Sequence, residues 1–146
     1  MVKIIKATQI YISELALLFD QYRIFYEQES DIIGATNFLN MRFAKNDSVI
    51  FLAFDDNKSV GFTQLYSSFS SVSLQPIYIL NDLFVNPAYR KKGIGEALLK
   101  QAQTYCQKMA FKGLALETGI ENPAQELYQR LGWEKDIHCF HYFWSA

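Results

Sequence analysis

The chain changes hydrophobic period several times, and each change predicts an element. Val2 to Ala7 reads as a short strand, and from Ser13 the apolar positions Leu15, Leu18, Phe19, Tyr22 and Tyr26 recur at helical steps. Asp31 to Ala44 predicts a second helix with Phe38, Met41 and Phe43 as core contacts. Val49–Phe54 and Val60–Tyr66 read as a hairpin, joined by the turn residues Asp55, Asp56, Asn57 and Lys58. The serine-rich patch from Ser67 to Ser71 reads as a mobile connection or irregular strand edge. Ile77 to Val85 follows as a branched and aromatic strand, stopped by Asn86-Pro87.

From Ile94 to about Ala110 a single apolar stripe (Ile94, Leu98, Ala102, Tyr105, Met109) predicts the clearest helix. Leu114 to Leu116 predicts a short strand. A last helix is punctuated by Asn122 as cap, Pro123 at its first position, Gln125 three residues after the cap, and Gly132 just past its end. Trp133 to Trp144 reads as mostly strand, with Ile137, Cys139 and Phe143 facing a core. The order β-α-α-β-β-β-α-β-α-β implies an α+β fold, antiparallel early and parallel across the long helix.

Composition narrows this. A chain of 146 residues, half of them hydrophobic and 16% aromatic, suits one domain spanning 1–146. Fourteen basic against 15 acidic side chains give a net charge of -1, which disfavours nucleic acid as a partner. The dense basic run Arg90-Lys91-Lys92 instead suits one small phosphate-bearing ligand. Two cysteines, Cys106 and Cys139, do not make a secreted disulfide framework. No leader-like run opens the chain, and its longest apolar run, Val49–Phe54, falls far short of the roughly 18 residues a membrane span needs. The expectation is a soluble cytoplasmic protein.

The segment from Leu83 to Ala97 carries the chemistry. A strand enters a turn, and the turn enters a helix whose first residues include Gly93 and Gly95. The first amides of a helix lack internal partners, its dipole favours an anion, and glycine admits a ligand without a Cβ in the way. Flanking cations add attraction, and together these form a pyrophosphate cradle. The plainer alternative is that Gly93 and Gly95 only shape a helix start. A dinucleotide site is the main rival, with Glu117 near the ribose position. Leu98 stands where that fingerprint needs glycine, however, and the chain runs well past Val85 before Gly93. A nucleotide triphosphatase loop would need Gly-Lys-Ser/Thr, which is missing.

Arg90-Lys91-Lys92-Gly93-Ile94-Gly95 resembles the signature of the GNAT superfamily of N-acetyltransferases. Asp82 to Pro87 resembles the strand that leads into it. Glu117 to Trp133, with Asn122, Ala124, Tyr128 and Gly132-Trp133, is similar to the later block. The resemblance covers roughly residues 48 to 133. It implies a three-layer acyl-CoA acyltransferase fold: a mixed, mostly antiparallel sheet of six to seven strands with about four helices. It implies acetyl-CoA as co-substrate, with the amides of Arg90, Lys91, Lys92, Gly93, Ile94, Gly95, Glu96 and Ala97 on the pyrophosphate. By the same resemblance, Phe84 and Val85 main-chain groups align the pantetheine and acetyl carbonyl, Asn122 and Ala124 contact the cofactor, and Tyr128 faces its sulfur. Ile77 to Val85 looks most like the diamine acetyltransferases. Those have two acidic residues where this chain has Asn81-Asp82, which puts polyamine specificity in doubt.

Chemistry assigns roles within that frame. An alkyl ammonium with pKa near 10.4 is almost wholly charged at neutral pH and must lose a proton before it attacks. Asp82 is the first choice to receive it, and Glu117 the alternative. A hydroxyl with pKa near 10 keeps its proton at neutral pH, so Tyr128 suits protonation of the leaving thiolate; a core role beside Leu127 and Leu131 is the other reading. Glu27, Glu29 and Asp31, interleaved with Tyr22, Phe25 and Tyr26, are expected to border an acceptor pocket where carboxylates and rings hold an ammonium. His138 and His141 point to opposite faces of a strand, and Cys139 with His141 gives two ligands, so no metal is expected. Neither cysteine lies in the motif blocks, which favours direct ternary-complex transfer over an acyl-enzyme. The partners expected are a small-molecule amine and, through exposed C-terminal aromatics, a second copy of the chain. A non-catalytic acyl-CoA binding or sensing domain and a nucleotide-binding module are the alternatives.

Overall fold

A computed structural model describes residues 1–146. One five-stranded sheet runs β1 (Val2–Lys6), β2 (Ser48–Asp55), β3 (Lys58–Ser70), β4 (Gln75–Val85) and β5 (Leu114–Ala115), in that spatial order. The pairs are antiparallel through β4, and β4–β5 is parallel, as a crossover through a helix requires. Helices α1 (Ile12–Phe25) and α2 (Ile32–Lys45) cover one face. Helix α3 (Ile94–Lys108) covers the other, and α4 (Ala124–Arg130) packs at its edge.

Each face buries its own apolar cluster. On the α1–α2 side Leu15, Phe19 and Leu39 meet Ile50, Leu52, Phe62 and Phe84. On the α3 side Ile94, Leu98, Leu99, Ala102 and Cys106 meet Phe51, Ala53, Leu65, Tyr78 and Leu80. Buried Cys106 completes the α3 stripe where Met109 was expected; Met109 lies at the frayed end and is 44% exposed. In α2, Ala35 and Leu39 hold the core while Phe38 and Met41 stay largely exposed, because the buried arc is one residue out of phase with the expected one. Ser67–Ser70 is regular strand, paired with Gln75–Tyr78, so the serine patch belongs to a long hairpin.

An irregularity in β4 sets up the site. Gln64 pairs with Asp82 and Leu65 with Leu80, leaving Asn81 as an extra residue. Such a bulge reverses which face each later side chain meets. Before it, Tyr78 and Leu80 face α3; after it, Phe84 faces the α1–α2 side, as does Asp82, while Leu83 and Val85 face α3. A second opening follows at the sheet edge. β5 pairs with Tyr78 and Ile79 alone, so β4 beyond Leu80 has no neighbour on that side.

The expected sixth strand does not form, and the sheet has five strands rather than six or seven. Glu134 to Ala146 makes no hydrogen bond from main chain to main chain, and Ile137, Phe140, Tyr142, Phe143 and Trp144 are at least 75% exposed. Cys139 is exposed too. Branched and aromatic residues favour a strand, but a strand exists through its partner, and the two-residue β5 offers this arm little edge to pair with.

Candidate active site

The divergence of β4 from β5, the head of α3 and the C-terminal end of α1 enclose a cleft of about 650 Å³. It is lined by Tyr22, Phe25 and Tyr26 from α1, Leu83–Val85 from β4, Tyr89 to Glu96 around the α3 head except Lys92, and Asn122, Pro123, Ala124, Leu127, Tyr128 and Arg130 around α4.

The α3 head forms as its sequence dictates. Gly93 caps the helix at φ 80°, with Lys91 also left-handed at φ 62°. Gly93 has no Cβ to strain in that conformation. The amides of Lys91, Lys92, Gly93, Ile94, Gly95 and Glu96 make no hydrogen bond within the protein. Such a run of free donors at a helix N-terminus suits an anion. The two ends of the expected set are otherwise engaged: Arg90 N–H donates to Pro87 O (3.4 Å) and Ala97 N–H to Gly93 O (3.0 Å). The Arg90 side chain also turns inward, its Nε donating to Val85 O at 3.0 Å and its guanidinium lying 5.5 Å from the Phe25 ring centroid. Lys92 Nζ lies 5.0 Å from the Tyr89 ring centroid. Glu96 binds Lys100 (2.8 Å) and Arg130 (3.0 Å), which hold its carboxyl below the usual range and neutralise it beside the cradle.

Main-chain alignment differs from expectation by one residue. Asn86 N–H donates to Val60 O at 2.8 Å, so by antiparallel alternation Phe84 exchanges its bonds with Phe62. Phe84 therefore gives its main chain to the ladder, and its ring to the α1–α2 core. Leu83 and Val85 turn their main-chain groups toward the open side; Val85 O is taken by Arg90, leaving its N–H free. Leu83 was missed because the shift comes from strand phase, which carries no residue signature.

On the far wall Asn122 Oδ1 accepts from Ala124 N–H at 2.9 Å and starts α4, while Gly132 at φ 88° ends it. The Tyr128 ring sits 6.0 Å from Trp133 and is shared between the main cleft and a neighbouring cavity of about 440 Å³. Burial, with a smaller contribution from Tyr26, raises its pKa, so the hydroxyl keeps its proton at neutral pH.

Asp82 lies 5% exposed behind Tyr22. Gln64 Nε2 donates to its Oδ2 at 2.7 Å and Asn81 Nδ2 to its Oδ1 at 3.0 Å. Desolvation raises the Asp82 pKa, and the donors Gln64, Tyr22 and Asn81 oppose that rise. Tyr22 and Tyr26 meet edge to face at 5.1 Å, and both line the same cleft as Tyr128, with Tyr22 against Asp82.

Glu27 and Glu29 are exposed and line no part of the cleft, and Asp31 and Glu117 lie elsewhere. Asp31 caps α2, its Oδ1 accepting from Gly34 N–H at 2.8 Å, and it borders a separate hollow with Phe19, Arg23 and Phe38. An N-cap carboxylate is committed to the helix it starts. Glu117 is 74% exposed and pairs with His141 Nδ1 at 3.0 Å on the C-terminal arm. Buried Asp20, which the sequence reading passed over, takes Ser30 Oγ and Asp31 N–H, both at 2.7 Å, and so ties the α1–α2 loop down. Its signal is a carboxylate at a helical core position, on the Phe19 side of α1.

The chain belongs to the acetyltransferase (GNAT) family, whose match spans residues 13–133. It is an N-acetyltransferase. An uncharacterised N-acetyltransferase of Bacillus subtilis (strain 168) is 48% identical over 129 residues, 88% of this chain and 87% of the relative. A crystal structure of a probable acetyltransferase superposes with TM-score 0.92 at 33% identity, covering 99% of this chain and 97% of that one. The fold also matches an aminoglycoside N-acetyltransferase, AAC(6')-Iy, solved in complex with CoA, at TM-score 0.82 and 19% identity over 100% and 96% of the two chains.

Proposed function

We propose that the protein moves an acetyl group from acetyl-CoA to a primary amine of a small molecule by direct transfer in a ternary complex. The observation that carries this reading is the run of free amides from Lys91 to Glu96 opening into the cleft that Tyr128 lines. The amides and Lys91 hold the diphosphate, and Asn122, Pro123 and Ala124 flank it. The coenzyme supplies the activated acyl group. The free Val85 N–H donates to the acyl oxygen, where negative charge develops during attack. Asp82 takes one proton from the ammonium, leaving a neutral amine and a carboxylic acid. As the C–N bond forms and the C–S bond breaks, the nitrogen loses its second proton to solvent, the Tyr128 hydroxyl gives its proton to the departing sulfur and regains one from solvent, and Asp82 releases the proton it took to solvent.

The acceptor lies on the side of Tyr22, Tyr26 and Asp82, where ring faces and one carboxylate suit an ammonium. A panel of polyamines, aminoglycosides and amino acids with acetyl-CoA, read by thiol release, tests the reading. Tyr128→Phe on the best acceptor should lower kcat by about 100-fold; unchanged kcat removes the acid role. Binding of acetyl-CoA with no release from any amine would favour the acyl-CoA sensing domain. Stabilisation by acetyl-CoA and not by NAD, about 2.7 kcal/mol at 100 times Kd, disposes of a nucleotide module.

In this reading the enzyme is cytoplasmic, with both thiols free, and no helix is long and apolar enough to cross a membrane. Neither nucleic acid nor membrane is its partner. It works as a homodimer, supported by the exposed aromatic arm from Ile137 to Trp144. Sedimentation equilibrium tests that: the full chain should run as a dimer and Phe140→Asp/Trp144→Asp as a monomer.

A further inference from the structure

Gln64 is fully buried on β3, directly across from Asp82. Its amide nitrogen donates to the carboxylate at 2.7 Å, while its Oε1 is buried with no partner. A buried amide that served packing alone would satisfy both ends, since a bare buried acceptor costs stability. Turning the amide over would set Oε1 against a carboxylate oxygen. The bare Oε1 is therefore the consequence of serving Asp82 as an acceptor. With Asn81 Nδ2 on the other oxygen at 3.0 Å, the carboxylate is held on both sides and its plane is fixed. The Asn81 bulge supplies this geometry, because without the extra residue Asp82 would face α3 and miss Gln64.

We infer that Gln64 is a positioning residue: through Nε2 it orients Asp82 toward the Tyr22 side of the cleft and keeps its carboxylate ready to accept a proton from the acceptor ammonium. This rests on the reading of Asp82 as the proton acceptor. The groups that face the pair are Tyr22 from α1, with Tyr26 beyond it, and Tyr66 from β3, itself approached by Arg42 of α2 and Asp47. Burial pushes the Tyr66 phenol up to about 12 and Tyr22 higher still, so neither titrates in the working range of a carboxylate. The acid limb of the rate profile then belongs to Asp82.

The test uses the full chain as wild type, Gln64→Leu, Gln64→Asn and Asp82→Asn, with kcat and KM for amine and acetyl-CoA followed against pH. Gln64→Leu removes a donor from the ionised carboxylate, so the acid limb of kcat should move up by about one pH unit, with about a tenfold lower kcat on that limb. KM for acetyl-CoA should stay unchanged. Gln64→Asn draws the amide back by one methylene and should move the limb the same way by less; it carries the test where Gln64→Leu does not fold. A limb that stays in place in the folded variants, with Asp82→Asn inactive, overturns the role of Gln64 and leaves that of Asp82. Full activity with an intact acid limb in Asp82→Asn overturns both.

Discussion

On the α3 side of the sheet the buried polar side chain is Thr63, and its hydroxyl bonds main chain, at Asp82 O. On the α1–α2 side Asp20, Gln64 and Asp82 are all buried, and they bond one another or a loop. The α3 side thus holds its elements with apolar contact and leaves main-chain amides free at the helix head. The opposite side spends burial on ionisable and amide groups that have to be satisfied one by one. In the proposed reaction the difference separates two tasks. A diphosphate can be held by a rigid backbone that needs little side-chain chemistry, whereas taking a proton from an amine needs a carboxylate placed where its charge is costly.

Changes to either side should therefore fail differently. Leu98→Ala, at a fully buried α3 position, is expected to lower unfolding free energy by about 2–5 kcal/mol. Thermal or denaturant unfolding reads this, and the folded fraction should keep both KM values. Asp20→Ala leaves Ser30 Oγ and Asp31 N–H without their acceptor and should cost about 1–3 kcal/mol. It should also raise KM for the amine while KM for acetyl-CoA stays put; the opposite pattern would dissolve the division between the faces. Gly93→Val forces a β-branched residue into φ 80° at a cost of about 1–2 kcal/mol. Its kinetic signature is a raised KM for acetyl-CoA with an unchanged KM for the amine.

The smallest effect is a pH dependence. Asp82 has a folded pKa above its ordinary value of 3.8, so the folded state holds its proton longer than the unfolded one. Its contribution to stability is complete below 3.8 and is lost as pH rises through the raised folded value. Asp82→Asn should flatten that part of the stability–pH curve, measured by denaturant midpoint, while Glu96 on the other side gives no such loss. A curve identical to wild type would mean that Asp82 is not desolvated.

The elements from β1 to α4 were legible because each rests on local pattern or capping chemistry: helical recurrence in α1 and α3, turn residues between β2 and β3, Asn122 and Gly132 at the ends of α4. The free amides at the head of α3 were legible for the same reason, since they are a property of a few consecutive residues at a glycine-started helix. The arm after Trp133 was misread as a strand because strand composition says nothing of whether an edge is present to pair with. Asp31 and Glu117 were misplaced because a carboxylate's type does not reveal whether it caps a helix or lies on an exposed arm.

By itself, then, the order of residues determined where the chain turns and which helix starts with free donors, and it put forward a carboxylate and a phenol as candidates for the chemistry. Tertiary structure alone decided that Asn81 bulges, that Asp82 consequently meets Gln64 and Tyr22, and that Leu83 rather than Phe84 turns its main chain to the open side. The physical reason is range: periodicity and capping act within a few residues, whereas strand phase and the satisfaction of a buried charge depend on partners brought together from α1, β3 and β4.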